Sequence, residues 1–125
     1  MDLKELIKAA KYASRNAYAP YSKFKVGAAV LTKDGNVFTG VNVENASFGA
    51  TICAERVAVA SAVSAGKREF STLVIYTKDG KVYPCGICRQ FLAEFGDFDI
   101  ILADDSGRNT ECKLSELLPN AFLNF

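Results

Sequence analysis

The chain opens on apolar residues at helical spacing. Leu3, Leu6, Ile7, Ala10 and Ala13 recur at three- and four-residue intervals, with Lys4, Glu5, Lys8 and Lys11 between them. That period predicts an amphipathic helix from Asp2 to about Asn16, ended before Pro20. Beyond Pro20 the pattern changes to short runs of β-branched and small apolar residues. Val26 to Thr32 predicts a strand, Asp34-Gly35 a two-residue hairpin turn, and Val37 to Val43 the returning strand. Asn42 to Thr51 is polar and small, and predicts a loop.

Alanine dominates from Cys53 to Ala65, with Gly66 available as a C-terminal cap. A helix so nearly apolar around its circumference is expected to be buried. Thr72 to Thr77 predicts a strand and Asp79-Gly80 a turn. Pro84 opens a helix reaching about Phe95, since proline suits a first helical turn. Asp99 to Ala103 and, more weakly, Thr110 to Leu114 read as strands. Ser115 can cap a short helical turn ending at Pro119. A hairpin followed by alternating helices and strands predicts an α/β fold, a three-layer α/β/α sandwich around a mixed central sheet. No linker or repeat divides residues 1–125, which are expected to form one domain.

Composition narrows the functional classes. Half of the residues are hydrophobic, enough for a real core, and 15 Lys+Arg stand against 14 Asp+Glu for a net charge of +1. That balance supplies no basic stripe, so a polynucleotide partner is not expected and a small, weakly charged substrate is. Neither a signal peptide nor a run of about 18 apolar residues is present. The expected location is therefore cytoplasmic and off the membrane, where thiols stay reduced and clustered cysteines more often bind metal than pair as disulfides. With four cysteines and no histidine, any metal chemistry must run on sulfur and carboxylate.

Cys53-Ala54-Glu55-Arg56 and Pro84-Cys85-Gly86-Ile87-Cys88 carry that chemistry. Cys85 and Cys88, three apart at a helix start, project from the same side of the first turn. Cys53 opens the other helix. Two helix N-termini aimed at one point favour thiolate over thiol. Three thiolates on one zinc ion leave its fourth position open to water, the arrangement of a reactive rather than a structural site. Glu55 then suits the proton shuttle beside that water. Arg56, three residues after Cys53, suits a hydrogen bond to the ligand sulfurs that offsets their negative charge. A competing reading is a structural four-thiolate site completed by Cys112. Against it, Cys112 lies in a strand-like stretch without partner spacing, where a small buried hydrophobe is expected.

The two motifs, with Ala19-Pro20-Tyr21-Ser22-Lys23-Phe24, Gly40-Val41-Asn42-Val43-Glu44-Asn45-Ala46 and Leu117-Leu118-Pro119, resemble the small, homotetrameric, all-cysteine cytidine deaminases along nearly the whole chain. The resemblance implies zinc-dependent hydrolysis of cytidine and deoxycytidine to uridine and deoxyuridine, with release of ammonia, in pyrimidine salvage. Carried over by position, Cys53, Cys85 and Cys88 would bind one Zn2+ per subunit. Glu55 would pass protons from water to ring N3 and then to the leaving amine. Asn42 and Glu44 would hydrogen-bond the ribose hydroxyls, and Phe24 would pack against the pyrimidine. The Ala54 amide would face pyrimidine O2, and the Tyr83 carbonyl would receive the leaving amine. Arg89 and Gln90 would support the second zinc loop, and Phe122 would close the pocket of a neighbouring subunit in a homotetramer with shared active sites.

Three positions depart from the family's pattern. Phe48 stands where tyrosine is common, Val57 where threonine is, and Tyr83 where a small serine is. These touch the interface and pocket rim, so they bear on affinity and substrate breadth. A modified nucleoside, such as an aminonucleoside antibiotic, is the alternative substrate with the same chemistry. The apolar ending Phe122-Leu123-Asn124-Phe125 independently favours an oligomer, since a small domain seldom leaves such a stretch uncovered.

Overall fold

The computed structural model describes residues 1–124, and Phe125 of the apolar ending lies outside them. The helices are α1 (Leu3–Ser14), α2 (Ala54–Ser64), α3 (Gly86–Ala93) and α4 (Leu114–Leu117). The strands are β1 (Val26–Thr32), β2 (Val37–Val41), β3 (Phe70–Thr77), β4 (Asp99–Ala103) and β5 (Thr110–Lys113). They form one five-stranded sheet in the order β2-β1-β3-β4-β5. Only β3 and β4 pair in parallel; the other neighbours are antiparallel.

Side chains alternate across the sheet, so one strand can feed two cores. Ala28 and Val30 of β1 join Ala58, Val59, Leu73, Ile75, Ile100 and Leu102 on the face covered by α2 and α3. Ala29 between them joins Leu6, Ala10, Val74, Tyr76 and Ile101 on the face covered by α1. This is the three-layer α/β/α arrangement. Among the described residues, no helix is long and apolar enough to cross a membrane.

The topology also decides where two helices begin. Strands β2 and β3 each run antiparallel to β1, so they run parallel to one another. Helices α2 and α3 follow them in the chain and therefore both start near the same end of the sheet. In α/β sheets the ground beyond the carboxyl ends of strands is where sites are built.

Two glycines let the helices sit directly on the sheet. A Cβ at Gly40 of β2 would lie 2.3 Å from the Ala58 nitrogen and 2.5 Å from the Ala54 carbonyl oxygen of α2. One at Gly27 of β1 would lie 2.0 Å from the Ala10 carbonyl oxygen of α1.

Several local expectations are revised. The hairpin loop has three residues rather than two: Thr32 N–H bonds the Asn36 carbonyl at 2.8 Å, and Gly35 sits at φ +93° between them. That is the geometry of a three-residue loop with glycine in the left-handed position. Strand β2 stops at Val41 because the Asn42 side chain takes over, accepting from Val26 N–H at 2.9 Å. Pro84 is fully buried one residue ahead of the Cys85 N-cap, not in the first turn of α3. Helix α2 is buried on one side only; Ala60, Ser61 and Ser64 are exposed and Val57 half-buried. It does end as expected, in a Schellman motif with Gly66 N–H on Val63 and Lys67 N–H on Ala62.

Ser115 lies inside α4 instead of capping it. The Asp97 carboxylate does the capping, accepting from Ser115 N–H at 2.9 Å and from its hydroxyl at 2.8 Å. Those bonds, the backbone one foremost, hold the Asp97 pKa below its ordinary value. A lowered carboxylate pKa contributes stability above the unfolded value, lost as pH falls through the folded one. Asp97→Ala should lower Tm by about 4 °C at neutral pH, the worth of a helix cap. The difference from wild type should close below about pH 4 in a thermal melt series. Gly40→Ala should cost about 3 kcal/mol or more by denaturant unfolding, because backbone rather than a flexible side chain meets the new methyl.

Candidate active site

Cys53 and Cys85 are the N-cap residues of α2 and α3, both in extended backbone, and neither sulfur caps its own helix. Cys88 follows one turn into α3 and is fully buried. Cys85 Sγ lies 3.4 Å from Cys88 Sγ and 3.9 Å from Cys53 Sγ, and all three sulfurs fall within 4.8 Å of one another. A zinc–sulfur bond of about 2.3 Å spaces tetrahedral sulfurs about 3.8 Å apart, so the trio fits zinc. Cys112 is elsewhere, in β5 with its thiol toward the Ile100 carbonyl at 3.9 Å. The trio forms without it, which removes the four-thiolate alternative.

The hydrogen bond with Cys88, aided by Arg56, lowers the Cys53 pKa against its burial. The same contact and burial push Cys88 well up.

Glu55 is only 4% exposed. Cys53 stands outside the helix proper, so Glu55 is free to turn inward as its second residue. Burial raises its pKa first, and the Cys53 charge adds to that. A carboxyl whose pKa lies above its ordinary value holds a proton more readily and can still return it. Arg56 donates from Nη2 to the Thr51 carbonyl at 3.2 Å and lies 3.9 Å from Cys53 Sγ. Its Nε is buried without a hydrogen-bond partner, an exception among buried polar atoms. The guanidinium thus faces the sulfurs, as the spacing anticipated.

The segment Asn42-Val43-Glu44 runs between Tyr18 and Ile52 through single β-bridges at Val43. Asn42 is buried, accepting from Val26 N–H and donating from Nδ2 to the Phe24 carbonyl at 2.7 Å. The Glu44 carboxylate accepts from Tyr21 and Ser22 N–H at 3.0 and 3.1 Å and from the Ser22 hydroxyl. A concavity of about 380 Å³ opens here, lined by Tyr21, Ser22, Glu44, Phe48 and Thr51. Phe24 instead borders a larger groove of about 570 Å³ on the α1 side, among Lys11, Arg15, Lys25 and Lys78. Phe48 is three-quarters exposed and meets the Tyr21 ring edge-on at 5.8 Å.

The second thiol loop is braced from behind. Arg89 donates from Nε to the Pro84 carbonyl at 2.7 Å and from Nη1 to the Leu117 carbonyl at 2.8 Å. Gln90 goes elsewhere, donating to the Phe122 carbonyl at 2.8 Å and so tying the C-terminal segment to α3. Tyr83 is half-exposed on the loop before Pro84, and the Phe122 ring is largely exposed. The Ala54 amide, first of α2, is one of the donors that an α-helix leaves without an internal acceptor. Sequence reasoning gave Ser22 no role; a serine two residues before a phenylalanine carries no signal until Glu44, 22 positions away, is folded against it.

Three thiols and a shielded carboxyl at the starts of two helices on a mixed sheet define a zinc-binding deaminase domain. Residues 1–103 match the cytidine and deoxycytidylate deaminase zinc-binding region, and the chain belongs to that family. It is 46% identical over 123 residues to a probable cytidine deaminase of Dictyostelium discoideum, covering 97% of this chain and 84% of the relative. It is 47% identical over 125 residues to a cytidine deaminase of Halalkalibacterium halodurans, covering 98% and 95%. The crystal structure of a cytidine deaminase from Burkholderia pseudomallei superposes with a TM-score of 0.93 at 47% identity, covering 98% of this chain and all of that one.

Removing one sulfur of the trio should release the metal, and removing the outlying one should not. Cys85→Ser should drop bound zinc, measured by atomic emission after gel filtration, by at least about tenfold. Cys112→Ser should retain the wild-type amount.

Proposed function

We propose that this chain hydrolyses cytidine and deoxycytidine to uridine and deoxyuridine, adding water and releasing ammonia. The single observation that carries the reading is the buried Glu55 carboxyl against three sulfurs spaced for zinc. Cys53, Cys85 and Cys88 would hold the ion. When bound, zinc supplies a water of lowered pKa at the position its protein ligands leave open. Glu55 would pass one proton from the attacking water to ring N3, then take the remaining proton from the hydroxyl added at C4 and pass it to the departing amine, leaving the C4 carbonyl and ammonia. Its raised pKa supports both halves of that transfer. Arg56 offsets the negative charge gathered on the sulfurs.

The remaining residues bind and orient. Asn42 and Glu44 meet the ribose hydroxyls, the Ala54 amide meets O2, the Tyr83 carbonyl receives the leaving amine, and Phe24 packs against the ring. Phe24 would have to serve that pocket from the wall between the groove and the concavity. The Asn42 bond to its carbonyl supports such a position. Phe122, exposed on a segment anchored by Gln90, would close a neighbour's pocket in a homotetramer with one zinc per subunit. The half-apolar exposed side of α2 supports an oligomer of this kind. The whole chain then acts as one catalytic domain in cytoplasmic pyrimidine salvage.

Glu55→Gln should keep zinc at the wild-type level while cytidine turnover, read by ammonia release, falls about 10²- to 10⁴-fold. Loss of the metal in that variant, or unchanged turnover, would overturn the role given to this carboxyl.

A further inference from the structure

We infer that Ser22 is a positioning residue for nucleoside binding, an inference that rests on the ribose-binding role proposed for Glu44. Its hydroxyl donates to Glu44 Oε2 and at the same time accepts from Phe24 N–H at 3.0 Å. Only a group that is both donor and acceptor can join a carboxylate to an amide in this way. One hydroxyl therefore fixes the carboxylate and the backbone of the aromatic residue with respect to each other.

The rest of the segment is arranged around that hydroxyl. Glu44 Oε1 is filled by the Tyr21 and Ser22 amides, so the carboxylate is left with Oε2 to offer a sugar hydroxyl. The Ser22 hydroxyl sits on that oxygen and sets the direction of its remaining lone pair. Between Ser22 and Phe24, Lys23 adopts φ +63°, a left-handed backbone that costs a non-glycine residue energy unless its neighbours hold it. Here they do: Lys23 N–H bonds the Ala19 carbonyl at 3.0 Å, and Asn42 holds the Phe24 carbonyl and Val26 N–H beyond. The Ser22 bond also comes first among the interactions that depress the Glu44 pKa, consistent with a carboxylate held ionised for hydrogen bonding.

The test compares two substrates on the zinc-loaded protein. Ser22→Ala should raise KM for cytidine about tenfold and leave kcat within about threefold, the loss of a hydrogen bond to a charged group. For 2′,3′-dideoxycytidine, which offers Glu44 neither a 2′- nor a 3′-hydroxyl, kcat/KM should fall by clearly less than for cytidine, since only the Ser22 bond to Phe24 N–H is then lost. Ser22→Thr, which keeps the hydroxyl, should retain the wild-type KM for cytidine. Ser22→Cys, close in size and a weak donor, carries the same comparison if the alanine variant does not fold. Equal losses on both substrates, or no loss on either, would overturn the inference and leave the deaminase reading standing. Failure of the wild type to turn over cytidine would instead remove the reading beneath it.

Discussion

The site depends on two helices beginning with cysteine where a capping side chain would ordinarily stand. Cys53 and Cys85 occupy N-cap positions, yet neither sulfur bonds a backbone amide of its helix. Serine or aspartate there would contribute about 1 kcal/mol of helix stability. Giving that up leaves both sulfurs unattached to their own helices and free to meet the third. A metal held by all three sulfurs would tie the two helix starts to one another.

Convergence of those two starts is a property of the sheet. Because β2 and β3 flank β1 antiparallel, they point the same way, and the helices that follow them open toward one end. The lack of a side chain at Gly40 then lets α2 lie against β2 backbone to backbone. The placement of Cys53 over the sheet is therefore set by two backbones, with no intervening side chain to shift. Arg89 does the equivalent for the second loop, joining the Pro84 carbonyl to the end of α4.

Shielding of Glu55 follows from the same offset. A residue two positions after Cys53 could not share its direction on a regular helix, and it does not need to. Cys53 stands outside the helix proper, so the carboxyl turns inward and loses water. The desolvation that raises its pKa and the inward placement on which its proposed role rests have one origin. Asn42 and Glu44 show the complementary economy: the polar groups proposed to meet a sugar also hold the 21–26 segment in place.

Periodicity and motif spacing fixed much of this in advance. The α1 period and the β1 and β4 boundaries rest on local residue order, as do the Cys85–Cys88 spacing and the placement of Arg56 one turn after Cys53, and local order suffices when neighbours in sequence are neighbours in space. The three-residue hairpin loop, the early end of β2 at Asn42 and the capping of α4 by Asp97 rather than Ser115 depend on partners between 4 and 18 residues away. The exposed side of α2 escaped the composition argument because an alanine-rich face is apolar whether or not anything covers it. Sequence by itself determined the chemistry, since cysteine and glutamate in that order dictate which donors exist. Tertiary structure alone decided that Cys112 is excluded, that Gln90 serves the C-terminal segment, and that Ser22 meets Glu44, because each is a matter of distance between residues that chain order leaves unrelated.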